Sequence, residues 1–474
     1  MATPMRKAVL GFFALAALIL AAAFVGWLLF RSDWGTERLE DGLGEALGMD
    51  VHIGQPARLG LLRGVTVTLA DVEVSKEGQV VGTAENGSAR LALFSLLTGK
   101  VRLIDLYIER PTLSVERYGP GTYNIHRPEP EPQELDNLSL PRLRVTEAQV
   151  TYFDQASKLE LLFEDCDLDL RNLRHAGGAL EHVLAMLAAE GELTCRTVSH
   201  DPFAATDLAA QIRGESGVFD LDPVTATAFD GQASASFGID LASGTPQYSL
   251  QNRISELDLG AFLTMLEPEH SATGKMQFEL DLIAHGVTWQ EVRQSAAGTI
   301  SLSSGKLVLA GYDLDEELDD YADTQRFNLV DVGAIILAGP LGIAATRGYA
   351  FSGLLGGSDG STTIDQLVSE WTVEDGVVRA RDVAFRTPEN RLALAGALDF
   401  GDYRFEDMRV AVIDRDGCAV VEQRITGPFR EPEIEPPNFL VAAAGPLLDF
   451  IKRGVRKITG SDCEVVYTGS ISPP

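Results

Sequence analysis

Apolar and polar side chains alternate at period two along most of this chain. Ala233, Ala235, Phe237, Ile239 and Leu241 alternate with small or polar residues, and Met276, Phe278, Leu280 and Leu282 alternate with Gln277, Glu279 and Asp281. Leu159, Leu161 and Phe163, then Cys166, Leu168 and Leu170, do the same after a slip of phase. Val65, Val67 and Leu69 repeat the pattern early, and Leu392 and Leu394 late. A turn of 180° per residue predicts strands with one apolar and one wet face. Asp230-Gly231, Ser304-Gly305, Asp375-Gly376 and Asp416-Gly417 supply turn signals between them. The pattern predicts a mainly β, mainly antiparallel protein.

Helical exceptions are few. Ser32–Leu47 predicts a helix stopped by Gly48, Ala176–Ala189 a second, Leu314–Tyr321 an acidic third, and Asn438–Lys457 one with an apolar body and a basic end. The strongest apolar signal is Ala8–Phe30, 23 residues without a charge. As a helix it is about 34 Å long, enough to cross a bilayer. Ala8, Leu18, Trp27 and Phe30 mark this expected membrane anchor. Arg6 and Lys7 precede it, which predicts a cytoplasmic N-terminus with the bulk of the chain translocated. The stretch exceeds the 7–15 residues of a signal-peptide core and lacks a small-residue cleavage site, so an anchor is the better reading.

A proline- and glutamate-rich run, Arg127-Pro128-Glu129-Pro130-Glu131-Pro132, reads as an extended loop dividing an N-terminal sheet from the remainder. The expected regions are a tip and anchor at 1–30, a β region at 31–126, a linker at 127–141, a central β-repeat region at 142–310 and a C-terminal region at 311–474.

Charge narrows the function. With 39 Lys plus Arg against 69 Asp plus Glu, the chain carries a formal charge of −30, which repels phosphate backbones and argues against nucleic acid. The sequence holds no P-loop, dinucleotide fingerprint or H-E-x-x-H motif, and its seven histidines are scattered. It predicts no enzyme, no metal site and no cofactor. Residues 329–345 are strongly apolar around Gly339-Pro340. Ile335, Ile336, Leu337 and Leu341 there form a candidate hairpin, read as a local core or as an interface.

Several stretches resemble the AsmA family of inner-membrane-anchored envelope proteins. Leu93-Phe94-Ser95-Leu96-Leu97-Thr98-Gly99-Lys100 leads into a strand, then Pro111-Thr112-Leu113, then Gly121-Thr122-Tyr123-Asn124. Gly311-Tyr312-Asp313-Leu314-Asp315 with Phe327–Gly333 is a second likeness, and Thr387-Pro388-Glu389-Asn390-Arg391 with Ala395–Phe400 a third. Gly417-Cys418-Ala419 near Cys463 and Tyr467-Thr468-Gly469-Ser470 is the fourth. The resemblance implies a single-pass inner-membrane protein of the periplasm, with a long curved antiparallel β-sheet groove that carries phospholipid. The candidate groove residues are Ala233, Phe237, Ile239, Leu241, Met276, Phe278, Leu280, Leu282, Leu392 and Leu394. It also implies a Cys418–Cys463 disulfide, since both cysteines lie in the family-like C-terminal region beside strand-like segments. Cys166, at an alternating position, reads as a small core residue.

Physics adds an accounting question. One apolar face repeated over some 400 residues must be covered by a second sheet, by helices or by lipid, because exposing it costs roughly 25 cal/mol per Å². Alternation alone leaves sheet on sheet or sheet on ligand open, and the resemblance favours ligand. Phospholipid, the inner membrane and an envelope protein are the expected partners. The alternative is an assembly factor for outer-membrane proteins that holds no lipid.

Overall fold

The computed structural model describes residues 33–60, 65–92, 102–119, 122–125, 138–175, 187–266, 271–311, 313–316, 318, 360–439 and 465–474. The chain is mainly β, with one large, mostly antiparallel sheet of 21 strands, a separate three-stranded sheet and few short helices. Among the described residues no helix is long and apolar enough to cross a membrane; the expected anchor lies outside them.

The elements divide between two compact units. In the first, α1 (Asp33–Leu47) precedes β1 (Asp50–Gly60), β2 (Val65–Lys76), β3 (Gln79–Leu91), β4 (Leu103–Gly119), β5 (Thr122–Tyr123), β6 (Leu138–Asp154), β7 (Leu159–His175), β8 (Leu187–His200) and β9 (Phe203–Glu215). Residues 202–206 at the start of β9 belong to the second unit. There β10 (Val218–Ala228), β11 (Gly231–Asp240) and β12 (Gln247–Asp258) lead to α2 (Leu259–Leu266). Next come β13 (Ala272–Thr273), β14 (Lys275–His285), α3 (Trp289–Gln294), β15 (Ala297–Ser304) and β16 (Leu307–Ala310). Then follow β17 (Ser361–Ile364), β18 (Gln366–Glu374), β19 (Val377–Arg386), β20 (Arg391–Asp399), β21 (Arg404–Ile413), β22 (Ala419–Pro428), β23 (Glu433–Ile434) and β24 (Asn438–Phe439).

The first unit is a layer of unusually long strands. β4, β6 and β7 run 17 residues each, against a usual 3–10. Bulges make this length tolerable. Pairing shifts fall between Gln55 and Arg58, and between Val145 and Ala148, and Asp71, Arg110, Glu147 and Asp165 adopt positive φ. Arg110 pairs with Glu85 at 2.8 Å and reaches Glu147 at 3.9 Å, so the interruptions lie side by side across the strands. Each bulge bends its strand and adds right-handed twist, so an aligned row of them curves the layer. At the edge, α1 satisfies β1: Ile53 N donates to Glu40 Oε1 at 2.6 Å and Ala57 N to Thr36 Oγ1 at 3.2 Å. Covered donors cannot recruit another strand.

The 127–141 run does not divide two sheets. β4, before it, and β6, which already begins at Leu138 within it, pair directly and in parallel from Asp105↔Arg142 to Arg117↔Asp154. Local composition marks a break in regular structure but says nothing of which strands meet beyond it. Asn124, from the G-x-x-N stretch, extends the ladder of β4: its N donates to Glu116 O, its Oδ1 accepts from Glu116 N, and its Nδ2 donates to Ser114 O.

The second unit holds the main core. Ile254, Leu257, Phe262, Leu263, Leu307, Leu309, Ile364, Trp371, Phe385, Val410 and Val421 are buried together. α2 and the small sheet β13–β16–β17 pack with β18–β22 in this cluster. A second cluster, Ala384, Ala393, Ala411, Ile413 and Ala419 with Tyr467 and Ile471, lies under the C-terminal tail. β20–β22 are consequently buried on both faces along much of their length; Leu392–Leu398 and Val410–Ile413 read as continuous apolar runs, while β22 also buries Glu422 and Gln423.

Helix expectations divide. α1 matches, with Gly48 at φ +66 ending it. Residues 314–316 and 318 are helical. Leu187–Ala189, expected as the end of a helix, begins β8 instead. Asn438–Phe439 forms β24, and the remainder of that expected helix lies outside the described residues.

Candidate functional site

Strand register places the apolar positions of the second unit on one continuous face. Leu221, Phe237, Leu250 and Leu282 stand side by side across β10, β11, β12 and β14. Ala233, Ile254, Phe278 and Leu302 form a parallel row, and Asn252, Leu280, Ile300 and Trp371 another. Burial along this face is graded. Phe237, Ile239 and Leu241 are half-buried. Ala233, Phe278, Leu280 and Leu282 are partly buried against the main core. Met276, Leu392 and Leu394 are enclosed in it, at 4%, 0% and 4% exposure. These last three do not line an open surface: they are buried in one cluster with side chains of α2 and the small sheet. Alternation gave the direction of these side chains but could not reveal that protein covers part of their face.

The first unit carries a second apolar face that the candidate residues omitted. Leu106, Leu143 and Leu170 lie in register, as do Ile108, Val145, Leu168 and Leu193. Beyond the bulge Val150, Phe163 and Val198 continue it. All ten are half-buried. Their own alternation in β4 and β6–β8 was the available signal. The opposite face is charged: Asp105, Arg142 and Arg171 form one row, Arg144, Asp169 and Glu192 the next, with Arg142 ion-paired to Asp169. The layer is amphipathic across its thickness. Among the described residues α1 packs at β1, and the leucine rows are left half-buried.

Cys166 and Cys195 are joined in a disulfide between β7 and β8, on the apolar face. Cys166 is therefore not a free core thiol. The two cysteines are 29 apart in sequence but directly opposite in register, which spacing could not disclose. Cys418 is also disulfide-bonded; Cys463, the partner expected for it, lies outside the described residues. So do Ala8, Leu18, Trp27 and Phe30 of the expected anchor, and Ile335, Ile336, Leu337 and Leu341 of the apolar hairpin.

The family-like motifs of the second unit converge on one node. Asp315 Oδ1 accepts from Thr387 Oγ1 at 2.7 Å and Asn390 Nδ2 at 2.6 Å, joining the 311–315 motif to the 387–391 motif. Burial pushes the Asp315 carboxyl above its ordinary range; those two hydrogen bonds oppose the shift, and Glu389 and Asp313 add to it. Arg391 donates to Ile471 O at 2.8 Å and to Asp414 O, and its guanidinium lies 5.7 Å from the Tyr467 ring centre. Tyr467 Oη donates to Asp382, whose carboxylate also accepts from Ser470 N at 2.9 Å. Burial, then the Asp382 bond, hold the Tyr467 phenol above its usual range. Gly417, at φ +82, lets the tail close in: Val466 N and Tyr467 N both donate to its carbonyl. The node is a tie between β19, β20, the 311–315 segment and the tail.

Catalytic geometry does not emerge from these groups. Among the described residues no three His, Cys, Asp or Glu side chains are grouped to hold a metal. One spacing, Gly356-Gly357-Ser358-Asp359-Gly360, matches G-x-S-x-G. Ser358 lies outside the described residues, and β17 begins at Ser361, so a strand follows the match where a nucleophile elbow requires a helix.

The AsmA family model matches residues 181–335, from β8 through the 327–333 stretch. Protein AsmA of Escherichia coli (strain K12) is 22% identical over 197 residues, covering 42% of this chain and 28% of that protein. Over this stretch the chain is similar to the AsmA family. The AsmA match takes in the half-buried rows of β10–β12, whereas the motifs at 93–124, 387–400 and 417–470 lie outside it. The alignment reaches little more than a quarter of the E. coli AsmA. No solved structure matches the chain.

Proposed function

We propose that this chain is a membrane-anchored periplasmic protein of envelope biogenesis that binds phospholipid acyl chains and aids lipid transfer toward the outer membrane. The observation that carries the reading is the half-buried apolar face of β4 and β6–β8, with its counterpart on β10–β12. Left to water, such a face costs roughly 25 cal/mol per Å², and acyl chains remove that cost without directional bonds. Aligned bulges supply the curvature that lets strands wrap a cylinder of hydrocarbon, while the charged reverse face stays wet. The AsmA likeness supports an envelope role. The Cys166–Cys195 bridge supports an oxidising compartment such as the periplasm. In this reading the inner membrane holds Ala8–Phe30 and the protein acts by binding, not by catalysis.

The closed core around Leu392 and Leu394 favours a narrower role for the second unit's far end. There the apolar face is spent on protein packing, which fits a scaffold for an assembly factor better than a conduit.

The test is to extract the full chain in mild detergent and identify co-purifying phospholipid by mass spectrometry. Stoichiometric phospholipid, lost when Leu143, Leu168 and Leu170 are all replaced by Asn, supports the reading. Lipid-free protein that remains folded refutes it.

A further inference from the structure

The turn between β14 and β15 exposes three large apolar side chains within seven residues. Ile283 is 59% exposed, Val287 66% and Trp289 63%. Ile283 points to the outer, polar side of β14, the side of Glu279 and Asp281, opposite to Phe278, Leu280 and Leu282. None of the three joins a buried cluster.

The segment that carries them is tightly tied. Thr288 and Glu291 form a capping box: Glu291 N donates to Thr288 Oγ1 at 3.2 Å, and Glu291 Oε2 accepts from Val287 N at 2.7 Å and Thr288 N at 3.4 Å. His285 N donates to Ser295 Oγ at 2.8 Å, and Gly286 N to Pro246 O at 3.0 Å. Arg293 fixes the far side, donating to Phe400 O at 2.7 Å and stacking 4.4 Å from the Tyr403 ring centre. Gly376 N donates to Ala296 O at 3.0 Å. These bonds hold the backbone of the loop in the conformation that leaves Trp289 exposed.

From a rigid loop that holds Trp289, Val287 and Ile283 in water, we infer that this tip is the docking point for another protein. The partner it fits presents an apolar pocket with a cationic rim. Exposed tryptophan on a pre-organised support has the character of an interface anchor, because little side-chain entropy is lost when it docks. The charge around it selects the partner. Glu291 is held ionised, its carboxyl kept below the ordinary range by the Val287 and Thr288 amides. Asp281 lies on the same side of β14 as Ile283, and the chain as a whole carries −30. An anionic bilayer is repelled by that field, whereas a basic-rimmed pocket is attracted. The inference stands apart from lipid carriage, since Ile283 faces the side of β14 opposite to the apolar rows and Val287 and Trp289 lie beyond the strand's end.

The test places p-benzoylphenylalanine at position 289 of the full chain in its own cells and irradiates them. The control position is Thr299, exposed on the same outer side of β15. The expected result is one discrete adduct with a different protein, absent from position 299. It weakens roughly tenfold or more when Val287→Asp is added, and falls with rising salt. Circular dichroism of the Val287→Asp chain, unchanged, shows that folding is intact. Adducts with lipid, with a second copy of this chain, or equally from position 299 overturn the inference, as does no adduct at all.

Discussion

Leu392 offers the sharpest test of where the apolar face is closed. Alternation and the family resemblance together made it a groove candidate, yet it is fully enclosed between Phe385 on one side and Val412 on the other. Leu392→Ala removes three carbon groups. At about 0.8 kcal/mol per group the lost transfer energy is about 2.4 kcal/mol. The cavity left in a core that can only partly collapse raises the total to about 3–5 kcal/mol. Phe237→Ala, on the half-buried stretch beside Leu221 and Leu250, leaves no enclosed cavity and costs under about 2 kcal/mol. Urea unfolding of the purified chain, followed by tryptophan fluorescence and circular dichroism, gives both values; Trp371 lies in the same core as Leu392. Bound phospholipid is quantified on the same preparations. Leu392→Ala is expected to lower stability and leave lipid content unchanged, and Phe237→Asp to lower lipid content with a small change in stability. A Leu392→Ala chain that keeps its unfolding midpoint, or that loses lipid while staying stable, refutes the closed-core assignment.

Replacing Cys166 and Cys195 together by Ala removes a bridge across 29 residues, worth about 3.6 kcal/mol in the chain-entropy model; an unchanged midpoint under non-reducing conditions counts against that bridge. Gly417→Ala is expected to release the tail, because a Cβ there falls 2.0 Å from Tyr467 O, and hydrogen exchange at 465–471 reads the release. Two carboxylates give opposite pH signs. Asp315 has a raised pKa in the fold, so its contribution is full at low pH and declines as pH rises through that pKa; Asp315→Asn should flatten this slope. Asp154 is the reverse: burial disfavours its charge, but the Ala156 and Ser157 amides and Arg117 outweigh burial and lower its pKa. Its stabilisation is present above the ordinary carboxylate range and lost as pH falls through the lowered value, and Asp154→Asn should remove that acid-side loss. Denaturant midpoints between about pH 3 and pH 8 separate the two.

The strands themselves were legible because side-chain period is a local property: a residue and its second neighbour face the same way whatever the sheet does next. Thus β11, β14 and much of β7 follow from alternation, and the Asp375-Gly376 turn from residues that tolerate positive φ. α2 was also within reach, since Leu259, Phe262, Leu263 and Leu266 recur at helical spacing. Pairing was not legible. The parallel meeting of β4 with β6, the register that sets Cys166 against Cys195, and the union of Asp315 with Asn390 each join residues far apart in sequence.

The chain's own order of residues therefore determined that there would be apolar faces, and roughly which positions would form them. Only the tertiary structure decided which parts of those faces are packed by protein, as at Leu392, and which stay half-bare, as at Phe237 and Leu143. The physical reason is that hydrophobic burial has no direction. An apolar row is satisfied equally by a helix, a sheet or an acyl chain, and what covers it depends on where the rest of the chain arrives.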